Sequence, residues 1–176
     1  MVTVTDELRE RLLSYVSHQV SRGTDSIKSA VEKGQTQLFG VIDGLSEEQA
    51  AFKPDADTWS VVEVLRHVEE SKRGIARICG SLARGEVPAP LGTVGSIDDP
   101  PFSSLAEART VLDASHQELL AFVDTVLPET NVAATYAHPW FGPLNCQEWA
   151  VFQRIHDGDH AEQIEQVKAA PGFPTA

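Results

Sequence analysis

The segment 155-IHDGDHAEQIEQV-167 places His156 and His160 four residues apart, the spacing that stacks two side chains one turn apart on a helix. At about 100° per residue, Trp149, Phe152, His156, His160, Gln163 and Val167 share one side of that helix, so the imidazoles interrupt a core-facing stripe. An unpaired buried polar group costs roughly 1–3 kcal/mol, so buried imidazole nitrogens need partners. Two stacked on one face call for a shared explanation, either hydrogen bonding or a metal ion. An earlier segment offers a third donor. Val64, Val68, Ser71, Ile75, Ile78 and Leu82 mark its inward side, and His67 lies between Val64 and Ser71 on it. Three neutral nitrogens from two facing helices, those of His67, His156 and His160, make a half-shell for Zn²⁺ or a similar borderline ion, leaving positions open for water or substrate.

The remaining chemistry-bearing residues are weighed against that centre. His116 shares a face with Ala108, Leu112, Leu119 and Val123 and reads as a core or supporting histidine, with metal ligation as the alternative. His18 lies off its helix's apolar face and is expected in solvent; His138 falls in a loop and is expected at a pocket mouth. Tyr136, Trp140 and Phe141 in that loop are candidates to wall an apolar pocket. Asp157, Asp159 and Glu162 are assigned to the solvated flank of the last helix, with orientation of an imidazole as the alternative, and Gln163 to its interior. His156-Asp157-x-x-His160 parallels the H-E-x-x-H pattern of metallohydrolases, with aspartate in the general-base position. Trp59, Trp149 and Phe152 read as core, Cys79 as a small buried hydrophobe, and Cys146, near a helix N-terminus, as a mildly reactive thiol.

Positioning these side chains requires long helices, and three of them announce their starts. Ser60 with Glu63, Ser104 with Glu107 and Asn145 with Glu148 are capping boxes, in which an oxygen-bearing N-cap and a glutamate three residues on satisfy orphan N–H groups. The proline-free runs that follow predict helices over about 60–84, 104–127 and 145–169, with Gly85, Pro128 and Pro171 near their exits. Helical pattern also covers about 6–22, where Leu8, Leu12, Tyr15 and Gln19 share a face, and 25–43, with Gly23 and Thr24 as the break. Ser46 and Gln49 begin a short connecting turn over 46–52. The connection GEVPAPLGTVGSIDDPPFS is too long for a tight turn and implies a crossover, and PETNVAATYAHPWFGPLN suits a short hairpin or lid. No other segment alternates polar and apolar residues, so the expected fold is an all-α bundle.

Composition narrows the partners. A chain of 176 residues is long enough for one sizeable core, and its formal charge of −12 repels phosphate backbones and anionic lipid surfaces. Nucleic acid and membrane are therefore not expected as partners. The two cysteines form no CxxC pair and the N-terminal residues show no secretory pattern, which fits a reducing cytoplasm. The longest apolar runs fall far short of the ~20 residues that span a bilayer.

The pattern 52-FKPDADTWSVVEVLRHVEES-71 followed by 156-HDGDHAEQIEQV-167 resembles the DinB/YfiT-like superfamily of metal-binding four-helix bundles, over about residues 25–170. The matching positions are Trp59 and Ser60 at a helix start, His67 two turns on, and His156, His160, Gln163 and Ile164 in the last helix. The resemblance implies an all-α, up-down-down-up four-helix bundle over 25–170, with an N-terminal helical extension at 1–24, a short hairpin-like loop before the last helix and a tail at 171–176. It implies a divalent metal, usually zinc or nickel, on His67, His156 and His160, and frequent homodimers. Several such relatives are transferases that use a low-molecular-weight thiol, which makes a metal-dependent thiol S-transferase with a small-molecule substrate the leading expectation. A metal-dependent hydrolase and a non-catalytic metal-binding bundle are the alternatives. In some thiol-dependent relatives a glutamate stands where this chain has one of the last-helix histidines.

Overall fold

The computed structural model describes residues 5–90, 95–125 and 132–175. In chain order the elements are α1 (Asp6–Ser21), α2 (Thr24–Val41), α3 (Glu47–Ala51), α4 (Val61–Ala83), α5 (Leu105–Thr125), β1 (Tyr136–His138), β2 (Gly142–Leu144) and α6 (Cys146–Lys168). Two capping boxes form as expected: Ser60 and Glu63 close reciprocally at the start of α4, and Asn145 and Glu148 at the start of α6. A third encloses the short α3, between Ser46 and Gln49. At α5 the arrangement differs. Ser104 Oγ accepts the Glu107 N–H at 3.1 Å, but the Glu107 carboxylate reaches back to Ser103 instead, and the Glu47 carboxylate of α3 accepts the Leu105 N–H at 3.0 Å. The expected end of that helix, near 127, lies outside the described residues. Helix α4 stops in a Schellman motif: Glu86 N–H bonds to Ser81 C=O and Gly85 N–H to Leu82 C=O, both at 2.9 Å, with Gly85 at φ +72°. Gly23 at φ +87° separates α1 from α2.

Contacts between helix ends set the topology. Cys79 near the end of α4 donates to the Cys146 carbonyl at the start of α6, at 3.3 Å, so those helices run antiparallel. Lys168 at the end of α6 reaches the Val41 carbonyl at the end of α2, at 3.0 Å, so these run parallel. Lys28–Asp124 at 2.7 Å and Asp43–Arg109 at 3.3 Å join opposite ends of α2 and α5. The four long helices α2, α4, α5 and α6 are therefore ordered up-down-down-up, and the link between the parallel α4 and α5 must travel back along the bundle, as its length foretold. Strands β1 and β2 pair antiparallel, Tyr136 opposite Leu144 and His138 opposite Gly142.

Helix α1 lies against α6 and α2, with Val16 in the same apolar cluster as Trp149 and Val151, and Arg9 Nε bonds to the Trp140 carbonyl at 2.8 Å. The C-terminal residues are tied down as well: Phe173 meets Phe52 edge-on at 5.5 Å, and Gln49 donates to the Pro174 carbonyl at 2.9 Å. Among the described residues no helix is long and apolar enough to cross a membrane.

The core falls into two apolar halves. One gathers Ile27, Ile75, Ile78, Leu82, Val123 and Trp149, the other Leu38, Val64, Leu65, Leu112 and Ile164. Between them every long helix contributes buried polar side chains: Gln35, Lys72, Ser115 and His116, then Gln153 and Asp157. Lys72 and Asp157 are both fully sealed from solvent, their Nζ and Oδ2 3.4 Å apart, while Lys72 donates to Gln35 at 2.6 Å and Gln153 donates to Asp157 at 2.6 Å. Burial pulls the Lys72 ammonium down and pushes the Asp157 carboxyl up, each opposed by the charge of the other. This corrects the expectation for Asp157, which is interior, whereas Asp159 and Glu162 are exposed as expected. The physical reason is that α6 packs on α4, α2 and α1 at once, so more than one stripe of it is buried; residues 149–153 are buried without a break.

Helices α2 and α6 come close together at Gly34. A β-carbon there would stand 2.8 Å from Asp157 Oδ2 and 3.3 Å from the Arg154 Cα. Gly34→Ala is expected to destabilise by about 1–3 kcal/mol through this clash. Gly40→Ala in the same helix, where a β-carbon would meet nothing within 4 Å, is expected to stabilise by about 0.4–1 kcal/mol. Urea unfolding of the two variants reads the opposite signs. Asp157→Ala, which strands the Lys72 charge in the interior, is expected to cost about 3–5 kcal/mol, and the double change Lys72→Met/Asp157→Leu to recover most of that in the same assay.

Candidate metal centre

Two helix starts fix where the imidazoles stand. His67 follows the Ser60 cap by two turns of α4, and His156 and His160 follow the Asn145 cap by three and four turns of α6. Because α4 and α6 run antiparallel, the early part of one faces the late part of the other. One candidate ligand atom from each of His67, His156 and His160 lies within 4.8 Å of the others. The ring centroids are 4.4 Å apart for His156 and His160, 4.8 Å for His67 and His160, and 5.3 Å for His67 and His156. Among the described residues, this is the one group of His, Cys, Asp or Glu so arranged.

The hydrogen bonds orient the rings. His67 Nδ1 stands 2.9 Å from the Ser96 carbonyl, which only accepts, so Nδ1 carries the proton and Nε2 keeps its lone pair. His160 Nδ1 donates to Gln163 Oε1 at 2.7 Å, leaving its Nε2 as the lone pair. His160 Nε2 and His156 Nε2 are 3.2 Å apart, so in the neutral pair the shared proton belongs to His156, whose buried Nδ1 has no partner. Two nitrogens bound to one tetrahedral zinc at ~2.0–2.1 Å stand roughly 3.3 Å apart. A cation in place of the shared proton suits that spacing, and the outward N–H groups of His67 and His160 are held by oxygen acceptors as metal-bound imidazoles require. The donor set thus fits a divalent ion.

Burial keeps the two α6 donors neutral. Burial, reinforced by the neighbouring His67, lowers His160 to about 4, and burial with the charges of His160 and His67 pulls His156 well below its usual value. Ser96, which receives His67, sits in the crossover after α4, and α4 itself clamps that segment. Arg66 donates to the Pro100 carbonyl at 2.9 Å and lies over the Phe102 ring at 3.6 Å. Glu70 accepts the Asp99 N–H at 2.7 Å, and Arg73 pairs with Asp99 at 2.8 Å. Sequence spacing gave no sign of the Ser96 carbonyl, because any residue supplies one.

A cavity of about 1270 Å³ opens beside the three rings. Trp59, 5.0 Å from His67, lines it together with Trp140, Trp149, Phe152 and His138. Several expectations change here. Trp59 is only partly buried, serving both core and wall, while Trp149 and Phe152 are buried as expected. Of the loop aromatics, Trp140 lines the cavity, whereas Phe141 is buried in the core and Tyr136 packs on that core beside Trp149. His138 is a buried wall residue rather than a mouth residue: its Nδ1 accepts the N–H groups of Trp140 and Phe141 at 3.2 and 3.3 Å, and its ring lies 4.4 Å from Phe152. The tight turn between β1 and β2 folds it back under its own loop. His116 is buried in the polar layer, outside the three-ring group, and His18 is exposed as expected. Cys146 is fully buried, so the expectation of a reactive thiol fails; the α6 N-terminus is covered by the hairpin and by Cys79, whose own thiol burial pushes up in pKa.

Residues 30–164 match the DinB superfamily. The chain belongs to that superfamily. It is similar to the uncharacterized protein YuaE of Bacillus subtilis, with 22% identity over 162 residues that cover 80% of this chain and 96% of YuaE. Among solved structures it is similar to TT2238, a four-helix bundle protein, at a TM-score of 0.63 and 22% identity, over 81% of this chain and 98% of that one. This likeness supports the four-helix-bundle fold.

Burial lowers His116, His138 and His160 each to about 4 in the folded chain, from an ordinary value of 6.5. Between those values the unfolded chain binds protons that the folded chain refuses, so their contribution to stability is complete above about pH 6.5 and is lost as pH falls toward 4. Metal-free protein is therefore expected to show a urea midpoint that drops steadily from pH 7 to 4.5, and His138→Phe, set among aromatic rings, to flatten that slope.

Proposed function

We propose that this DinB-superfamily protein is a divalent-metal-dependent enzyme whose ion, zinc or nickel, is held by His67, His156 and His160, and which acts as a low-molecular-weight-thiol-dependent S-transferase. The observation that carries the reading is the convergence of three imidazoles within 4.8 Å, two of them with their outer nitrogens already donated to oxygen, at the wall of a large cavity. When bound there, a divalent ion supplies Lewis acidity, favouring a thiolate or lowering the pKa of water toward ~7. The chain's own residues do the rest. Three protein nitrogens leave a coordination position for a substrate atom. Ser96 and Gln163 hold His67 and His160 in one tautomer, so no rearrangement of those rings is needed when the substrate arrives. Trp59 and Trp140, with the edge of Phe152, offer apolar surface that displaces water from a bound substrate.

A metalloprotease-like mechanism loses its support from the structure. Asp157, which would be its general base, is sealed in the interior, paired with Lys72, and does not line the cavity. The transferase reading is therefore preferred to a hydrolase that would use Asp157 as its base.

Metal analysis of purified protein is expected to find about one zinc or nickel per chain, and none in His67→Ala or His156→Ala. Zinc at about a hundred times its Kd is expected to stabilise the wild type by about 2.7 kcal/mol and to leave the variants unchanged. In cobalt-substituted protein, added thiol is expected to bring in sulfur-to-cobalt charge-transfer absorbance. Absence of metal stabilisation would end the reading.

A further inference from the structure

The cavity continues along α4 beyond the imidazoles. His67, Ser71, Gly74 and Arg77 all line it, spaced three or four residues apart and so on one face of the helix. Ten residues at 1.5 Å rise put the His67 and Arg77 backbones about 15 Å apart. Arg77 leans back toward the helix N-terminus, as long helical side chains do: its Nη2 lies 3.9 Å from where a β-carbon at Gly74 would stand. The guanidinium therefore hangs over the Gly74 turn, closer to the imidazoles than its backbone.

Gly74 itself has no packing reason to be glycine. A β-carbon there would meet nothing within 4 Å except that guanidinium, yet a glycine inside a helix costs about 1 kcal/mol relative to alanine. Its effect is to leave the cavity floor low between His67 and Arg77. Charge points the same way. Arg73 and Arg84, which also line the cavity, are paired with Glu69 and Asp99 and with Glu86. Arg77 makes no ion pair among the described residues, in a chain with 26 acidic residues against 14 basic ones. Glu118 of α5 also lines the cavity and does not pair with it. The exposed carboxylates of Asp57, Asp159 and Glu162 line the cavity too, the last two on the helix that carries His156 and His160. A substrate anion is thus repelled beside the rings and attracted a helix turn or two away.

We propose that the cavity takes an elongated substrate whose apolar stem lies against Trp140 and the edge of Phe152 and whose anionic end, a carboxylate or phosphate, binds Arg77. This rests on the metal-site reading for the group at the other end of the stem, and names the class of molecule that the site accepts. Arg77 is a specificity residue here, and the open turn at Gly74 is what lets the stem pass.

The test titrates 8-mercaptooctanoate and the uncharged 8-mercaptooctanol into metal-free and zinc-loaded protein by calorimetry, for the wild type, Arg77→Gln and Arg77→Lys. The wild type is expected to bind the carboxylate roughly five- to tenfold more tightly than the alcohol in both metal states, the scale of one charge-assisted hydrogen bond at a solvated site. Arg77→Gln is expected to abolish the preference while leaving the alcohol's affinity unchanged, Arg77→Lys to keep part of it, and high salt to shrink it. Equal binding of the two probes by the wild type, no binding of either, or a preference that survives in Arg77→Gln would overturn the proposal. A preference that depends on Arg77, with neither thiol binding more tightly when zinc is loaded, would support the anion subsite and count against the metal reading alone.

Discussion

The rotational setting of α6 is the constraint on which the site depends. That helix carries two of the three imidazoles, and a turn of some tens of degrees about its axis would carry them out of the cavity. Asp157 and Gly34 prevent the turn. The Asp157 carboxylate is fixed by Lys72 from one side and by Gln153 from its own helix, and Gly34 lets the α2 backbone close on it from the other. A buried ion pair is a weak source of net stability, because removing two charges from water costs about as much as their attraction returns. Its value here is directional: the pair is satisfied at one setting of α6, and that setting sends His156, one residue earlier, toward His67.

Placing imidazoles in an apolar bundle has a second consequence. Desolvation disfavours the charged ring, so His160 is held neutral far below pH 7, which is the state a metal or a hydrogen-bond donor needs. The same burial obliges each ring to find partners for both nitrogens. His67 finds one in the crossover and His160 in the next turn of its own helix, while His156 is left with one orphan nitrogen. The crossover is thereby part of the site. Arg66, Glu70 and Arg73 reach from α4 to hold it down, so the helix that presents His67 also builds the support for its outer nitrogen.

How much of this was legible in the residues themselves differs from element to element. Helix starts were readable because a capping box is local: Ser60 with Glu63 and Asn145 with Glu148 need only three residues of chain to form. At α5 the same signal gave the right start and the wrong bonding, since Glu47 from a distant segment took over the Leu105 N–H. On α4 the period placed Val64, Val68, Ile75, Ile78 and Leu82 inside, as they are, but gave no sign of Lys72, which is fully buried. For α6 the period misled. With neighbours on three sides, Asp157 was as interior as the histidines, and a stripe read at 100° per residue cannot show a second buried face. Cys146 was missed, and His138 lines the cavity at greater depth than expected, for a related reason: exposure near a helix end or in a loop is the usual outcome, and here the two-stranded hairpin packs against the start of α6.

The amino-acid sequence by itself determined the number and starts of the long helices, the crossover, the hairpin and the three histidines with inward faces, because each of these is written in spacings of seven residues or fewer or in the length of a connection. Only the tertiary structure decided which nitrogens meet, which aromatic rings wall the cavity, that a polar layer divides the core, and that Ser96 and Gln163 steady the rings. Those outcomes hinge on the relative rotation and depth of helices dozens of residues apart in the chain, and no local pattern carries that information.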